Sequence, residues 1–468
     1  MDNITLSSLK DDYVRTISAK EPEWLAAIRK KSFSYYRDLP AEVSPLYNKY
    51  SGVNVLKPES IYLSPDHKAK EPFAELKHRV DEIKSGIAVL QVGNYLHSVY
   101  LPSELKSKGL IIESIGDALK NHEELVKKLF TSNTDPTEDR FLALEYSLFN
   151  SGIFVYVPKG LVLEKPITII NALADDGVSS IARNVFFADA NSKARITQEL
   201  YSPNTNGNVQ QSYFELMEAH VANNAELELV TLQTMGSDSV HFSNRKAFLE
   251  RDARMNSYIG MFGTSLSRYK VDNVLKGEGA SAEHMEIIFG NNNQAFDVTA
   301  NVVHLGPNTR GRVLVKSVLK DTAKSLLKGM IKIGKNAKGS ESYLAGHAIL
   351  LDKGAKSDAI PGLEIETNEV KATHSASVAQ MDEEHLFYLM SRGFSKSSAK
   401  RVIVDGFLEP LARRMSPEVR AWISYLIDSK WQGRPLMLTT DEVMREILEV
   451  EEARRTDIDM FEKHYKYR

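Results

Sequence analysis

Hydrophobic and polar positions change rhythm twice along this chain. Up to about residue 138 the spacing is helical. "KEPEWLAAIRKKSFSYY" sets Pro22 at a helix start with Trp24, Leu25 and Ile28 on one face, and "PFAELKHRVDEIKSGI" and "GDALKNHEELVKKLFTS" follow the same rule. From "FLALEYSLFNSGIFVYVPKGLVLEKPITIINAL" onward, short alternating or β-branched runs are separated by Asn, Asp, Gly and Lys for over 200 residues. Helical spacing returns at Asp382, a candidate N-cap for "EEHLFYLMSR", which Gly393 ends. Ser395 caps a second helix, and Ser416-Pro417 opens a third with Val419, Trp422, Ile423 and Leu426 on one face. "TTDEVMREILEVEEARR" reads as one more helix.

A repeat underlies the middle region. A polar residue or glycine followed by a small residue recurs at Asn224-Ala225, Asp252-Ala253, Gly279-Ala280, Asn308-Thr309 and Asn336-Ala337, at offsets of 28, 27, 29 and 28. Two strand-like runs lie between successive marks, for example "HMEIIFG" and "AFDVTANVVHL". Two strands and two corners per period make one coil of a parallel β-helix. The apolar parity (Met285, Ile287 and Phe289; Val313 and Val315; Ile331 and Ile333) is expected to face the stack. An antiparallel sandwich with regular hairpins is the alternative, although it needs tight turns such as Asn-Gly, which are scarce. The division expected is a partly helical N-terminal domain over 1–138, a β-helix over 139–380 and a helical C-terminal domain over 381–468.

Charge narrows the partners. Lys and Arg number 59 against 62 Asp and Glu, a net −3 with both signs mixed along the chain, which leaves no electrostatic footprint for nucleic acid or an anionic membrane. No apolar run approaches the roughly 18 to 20 residues of a membrane span. "MDNITLSSLKDDYVRT" has acids where an export signal has a basic start, so a cytoplasmic protein is expected. The absence of cysteine excludes disulfides, thiolate nucleophiles and any cluster site built from this chain's own sulfurs.

Few motifs carry chemistry. "GMIKIGKN" (329–336) has the skeleton of a phosphate-binding loop, but Met330, Ile331 and Ile333 make an ordinary strand and Asn336 replaces the magnesium-binding hydroxyl. No dinucleotide fingerprint or hydrolase pattern stands out, and the chain reads as a non-enzyme. The 12 histidines never pair at metal-ligand spacing. His374, within "VKATHSASV", and more weakly His284 and His304, are candidate ligands, and a single imidazole suffices only when another chain completes the site. The aromatic and cationic residues of "DEEHLFYLMSRG", Phe387, Tyr388 and Arg392, fit a core stripe or a binding surface equally.

Four stretches, "GIFVYVPKGLVLEKPI", "DVTANVVHLGPNT" with "KSVLKD", "PGLEIETNEVKATHSASV" and "MDEEHLFYLMSRGFSKSSAKRVIVDGFL", together resemble the SufB/SufD family of iron–sulfur cluster assembly proteins. The similarity runs in order from about residue 20 to 432 and leaves out the last 35 or so residues. It implies a right-handed parallel β-helix flanked by helical domains. It also implies pairing through the β-helix with a SufB-like subunit or a second copy, and binding of a SufC-like ATPase by the C-terminal helices. SufB-like chains carry a cysteine in the stretch corresponding to "DKGAKSDAIP" and a His-Glu pair in the next strand. Here neither occurs, and the single His374 resembles the SufD side, with Ala372 and Ser375 in place of the Cys and Gly of that pattern. The resemblance makes His374 a metal ligand offered across an interface, and Phe387, Tyr388 and Arg392 the ATPase contact. The iron–sulfur cluster would then be transient and shared with the partner chain. Two other classes stay open: a β-helix enzyme acting on polysaccharide, and a metal-free structural homodimer joined by strand addition.

Overall fold

The computed structural model describes residues 4–42, 55–65, 68–131, 134–204, 209–439 and 444–450. Sixteen strands from Ile153–Val157 to Lys371–Gln380 alternate between two parallel sheets and make a β-solenoid of eight coils. Along one sheet, Arg254 pairs with Ser281, Ser281 with Arg310, Arg310 with Glu341 and Glu341 with Lys371, so coils of 27 and 29 residues give way to coils of 31 and 30.

The sequence marks are one row of corners. Asn224, Asp252, Gly279 and Asn308 all have positive φ (56°, 54°, 71° and 57°), which Asn, Asp and Gly tolerate best. Each N–H donates to a carbonyl of the next corner, as Asn224 N does to Arg251 O (2.9 Å) and Asn308 N to Lys338 O (2.8 Å). The small residue that follows, Ala225, Ala253, Ala280 or Thr309, is fully buried because corner backbones stack too closely for anything larger. The fifth mark departs from this. Ala337 is buried in the same way, but the positive φ falls on Gly339 (72°), where the coil has lengthened.

Both outer sheet faces are covered. Helices Glu23–Asp38 and Arg140–Leu148 pack with Phe154, Ile181, Val185, Phe214 and Phe242 on one, and helices Lys396–Ala412 and Pro417–Trp431 pack on the other. This corrects the expected facing of one strand. Met285, Ile287 and Phe289 point outward under the C-terminal helices, while Ala282, His284, Glu286 and Ile288 line the interior. Val313, Val315, Ile331 and Ile333 do face the interior. A strand buried on both sides hides its parity, since its apolar set belongs to whichever face has a partner.

The two ends of the solenoid differ. At the N-terminal end the sheets continue into Ile87–Val92 with antiparallel Tyr95–Tyr100, and into antiparallel Ile111–Ser114. The segment from 139 begins with a helix, Arg140–Leu148, so the first solenoid strand is Ile153–Val157. At the other end Lys356–Ile365 and Lys371–Gln380 close their sheets, and no described strand pairs with their outer edges. The expected helix caps hold: Asp382 Oδ1 accepts from the Glu384 and His385 N–H groups, and Ser395 and Ser416 cap the next two helices. Of the final expected helix, residues 444–450 are helical and 440–443 and 451–455 lie outside the described residues. No described helix is long and apolar enough to cross a membrane.

Candidate functional site

His374 lies on the last strand, in register with Leu344 and beyond it Val313 and His284. Residues paired across a parallel sheet project to the same side, so His374 shares the interior column of these buried side chains. The ring is nevertheless exposed, because no further coil covers it. Ala372, two residues before, packs on the interior core, and the His374 ring hydrogen bonds to no other described residue. His347 is a second imidazole beside this edge, held by Ser377 Oγ at 2.7 Å. It sits three positions from Leu344 and so on the opposite face of the sheet; burial, then Lys316, lower its pKa. Among the described residues no three His, Cys, Asp or Glu side chains are placed to hold a metal ion. With no cysteine in the chain, it supplies no thiolate of its own to a cluster.

Only Met381 and Asp382 separate this strand from helix Glu383–Ser391. That helix buries Leu386 alone, and Phe387 and Tyr388 are 73% and 56% exposed. The Arg392 guanidinium stands 5.1 Å from the Tyr388 ring centroid, and Met390, Phe394 and Val402 add further exposed apolar area. The three expected contact residues run from the middle of this helix, at Phe387 and Tyr388, to its C-cap, Arg392, apart from His374 but two residues beyond its strand at the helix start.

The chain matches the SUF system FeS cluster assembly SufBD core domain over residues 169–407 and the SufBD protein N-terminal region over 3–169. The chain belongs to the SufBD family. It is 27% identical over 440 residues to an iron–sulfur cluster assembly SufBD family protein of Staphylococcus aureus (strain USA300), covering 91% of this chain and 93% of that one. The similarly named Staphylococcus haemolyticus protein is 26% identical over the same spans. The SufBD family works in iron–sulfur cluster assembly.

In this SufBD chain the C-terminal helices are pinned to the solenoid by cations, of which Lys430 is buried. Lys316 Nζ donates to the Phe407 carbonyl, and Lys430 Nζ to the Phe262 and Phe289 carbonyls and to Gln294 Oε1 (2.6 Å). Arg414 pairs with Glu283 at 2.6 Å and Glu418 with Arg195 at 3.1 Å. Burial with no carboxylate partner pushes Lys430 well below the ordinary lysine range.

Sequence reading missed a polar network inside the solenoid. Glu215 accepts from Asn184 (2.7 Å), Gln198 (2.6 Å), Ser243 (2.8 Å) and Arg245 (2.9 Å), all buried. Burial alone would raise the Glu215 pKa, but the Arg245 guanidinium, with His241 and these donors, holds it below the usual value. His284 and His304 are core groups: His284 Nε2 meets Glu286 Oε1 at 2.5 Å, and His304 Nδ1 meets Thr309 Oγ1 at 2.7 Å. The available signal was alternation that places polar residues on the interior parity of several consecutive strands, and it becomes readable only once the faces are known.

Proposed function

We propose that this chain is the SufD-like subunit of a cytoplasmic cluster-assembly complex. Its terminal coil joins a SufB-like chain, and helix Glu383–Ser391 receives a SufC-like ATPase. The observation that carries this reading is the asymmetry of the solenoid. The N-terminal end is finished by antiparallel strands, whereas the last two ten-residue strands have edges that no described strand pairs with, and Leu363, Ile365 and Val378 are exposed at 39%, 42% and 42%. Free edges of that length recruit another strand unless something blocks them.

In this reading His374 is a single ligand presented at the join, and the partner chain brings the thiolates. The subunit performs no bond-making chemistry; it positions one imidazole and transmits movement. ATP-driven closure of the ATPase displaces helix Glu383–Ser391, and the two-residue link carries that displacement into the His374 strand. The free edges support a second arrangement, a homodimer of the same terminal coils.

Co-expression with SufB-like and SufC-like chains tests both contacts. Phe387→Ala with Tyr388→Ala is expected to release the ATPase and keep the SufB-like chain, and Val378→Lys to do the reverse. Retention of both partners by both variants refutes the proposal. Recovery of wild-type protein as a homodimer that excludes the SufB-like chain favours the second arrangement.

A further inference from the structure

A cavity of about 410 Å³ opens where the C-terminal helices meet the solenoid, at the N-terminal end of helix Lys396–Ala412. Its wall is chemically one-sided. Nine residues line it, and four of them, Lys320, Lys396, Lys400 and Lys430, are lysines, with no acidic residue among the nine. Two carboxylates pair with lysines of this wall. Asp352 accepts from Lys400 at 3.3 Å and from the Asp321 N–H at 2.9 Å, and Asp321 lies 3.8 Å from Lys320. Lys396 makes no ion pair among the described residues, and the buried Lys430 is held by two carbonyls and an amide oxygen without a counter-anion. The first turn of the 17-residue helix adds to this field. Ser395 Oγ takes up the Ser398 N–H, while Lys396 and Ser397, at the positive end of the helix dipole, form part of the cavity wall.

We propose that this cavity binds a phosphate group. The Lys396 ammonium at the helix N-terminus, with those of Lys320 and Lys400 beside it, satisfies a multiply charged, many-oxygened anion better than a single carboxylate, which one lysine would serve. Trp431, Phe289 and Leu351 supply an apolar flank beside the lysines, large enough for an organic portion attached to the phosphate. Trp431 is tied into the same wall through its indole N–H to Ser397 Oγ (3.3 Å), so occupancy reports on indole fluorescence. The cavity also lies at the seam that Lys430 pins, so a bound anion tightens the attachment of the C-terminal helices to the solenoid.

The test is titration of the full-length protein with inorganic phosphate and with adenosine 5′-monophosphate, followed by calorimetry and tryptophan fluorescence. Dissociation constants at or below about 1 mM are expected for at least one probe. Lys396→Glu, at an exposed position, should weaken binding by about tenfold or more, while Lys335→Glu, on a distant corner, should leave it unchanged. A preference for the nucleotide assigns the apolar flank to an organic portion, and equal binding assigns the site to phosphate itself. Failure of both probes to bind at about 10 mM, or equal loss in the two variants, overturns the proposal.

Discussion

Arg245 is the side chain whose removal most sharply tests the interior network. Its Nε donates to Ser243 Oγ (2.8 Å), one terminal nitrogen to Thr231 Oγ1 (2.6 Å), and the other to Gln198 Oε1 (2.8 Å) and Glu215 Oε2 (2.9 Å). Arg245→Met keeps most of the volume but leaves Glu215 as a fully buried carboxylate without its cation. Breaking one side of such a pair costs about 3–5 kcal/mol. Guanidinium chloride unfolding followed by circular dichroism measures the loss. Glu215→Gln in the Arg245→Met background removes the stranded charge, so the double variant should recover about 1–2 kcal/mol relative to the single one. The pH dependence gives an independent sign. In the native protein the Glu215 pKa is depressed, so its contribution is present above the unfolded carboxylate value and is lost as the pH falls through the folded one. Without Arg245, burial raises that pKa, and the destabilisation should shrink as the pH drops from about 7 to about 5. A single variant less than about 1 kcal/mol below wild type, or a double variant no better than the single, refutes the account of the network.

Other consequences follow from the same structure. His241, His220 and His304 are held by burial at about 3, about 4 and about 4, below the ordinary histidine value of 6.5, so unfolding takes up protons. Stability is therefore full above that value and falls as the pH drops from about 6.5 toward 4; His304→Gln should flatten the slope of unfolding midpoint against pH, and an unchanged slope contradicts the assignment. Asn308→Val forces a β-branched residue to a φ of 57° and should cost about 1–2 kcal/mol in denaturant unfolding, whereas Asn308→Gly should be nearly neutral; equal costs would rule out the corner argument. A Cβ at Gly152 would lie 1.9 Å from the Arg183 carbonyl oxygen, so Gly152→Ala should yield little folded protein on size exclusion, and normal yield would be inconsistent with the packing of the first coil.

The solenoid was readable because its corners demand residue types that few other positions tolerate. The Asn, Asp and Gly marks followed by Ala or Thr coincide with left-handed backbone stacked at 27 to 29 residues, and the reading slipped at Asn336, where the coil grew and Gly339 took the corner. The C-terminal helix caps at Asp382, Ser395 and Ser416 were equally legible, since each is a local side chain to backbone bond. Facing was not legible for the strand Ser281–Gly290, because the helices that bury Met285, Ile287 and Phe289 come more than a hundred residues later in the chain. The interior Glu215–Arg245 pair was hidden for a related reason: its partners come from separate strands, and no sequence spacing links them. His374 was a candidate from the sequence that the resemblance strengthened, and the structure adds what sequence withheld, that it occupies an interior column left open at the last coil.

The most direct measurement of the central claim is the iron and acid-labile sulfide content of the complex purified anaerobically after co-expression with SufB-like and SufC-like chains, with and without His374→Ala. The substitution lies on an exposed ring that bonds to no other described residue, so the complex should assemble normally. The account predicts an intact complex whose cluster content falls to about a fifth or less, a loss of one ligand from a shared site. An intact complex with undiminished iron and sulfide contradicts it.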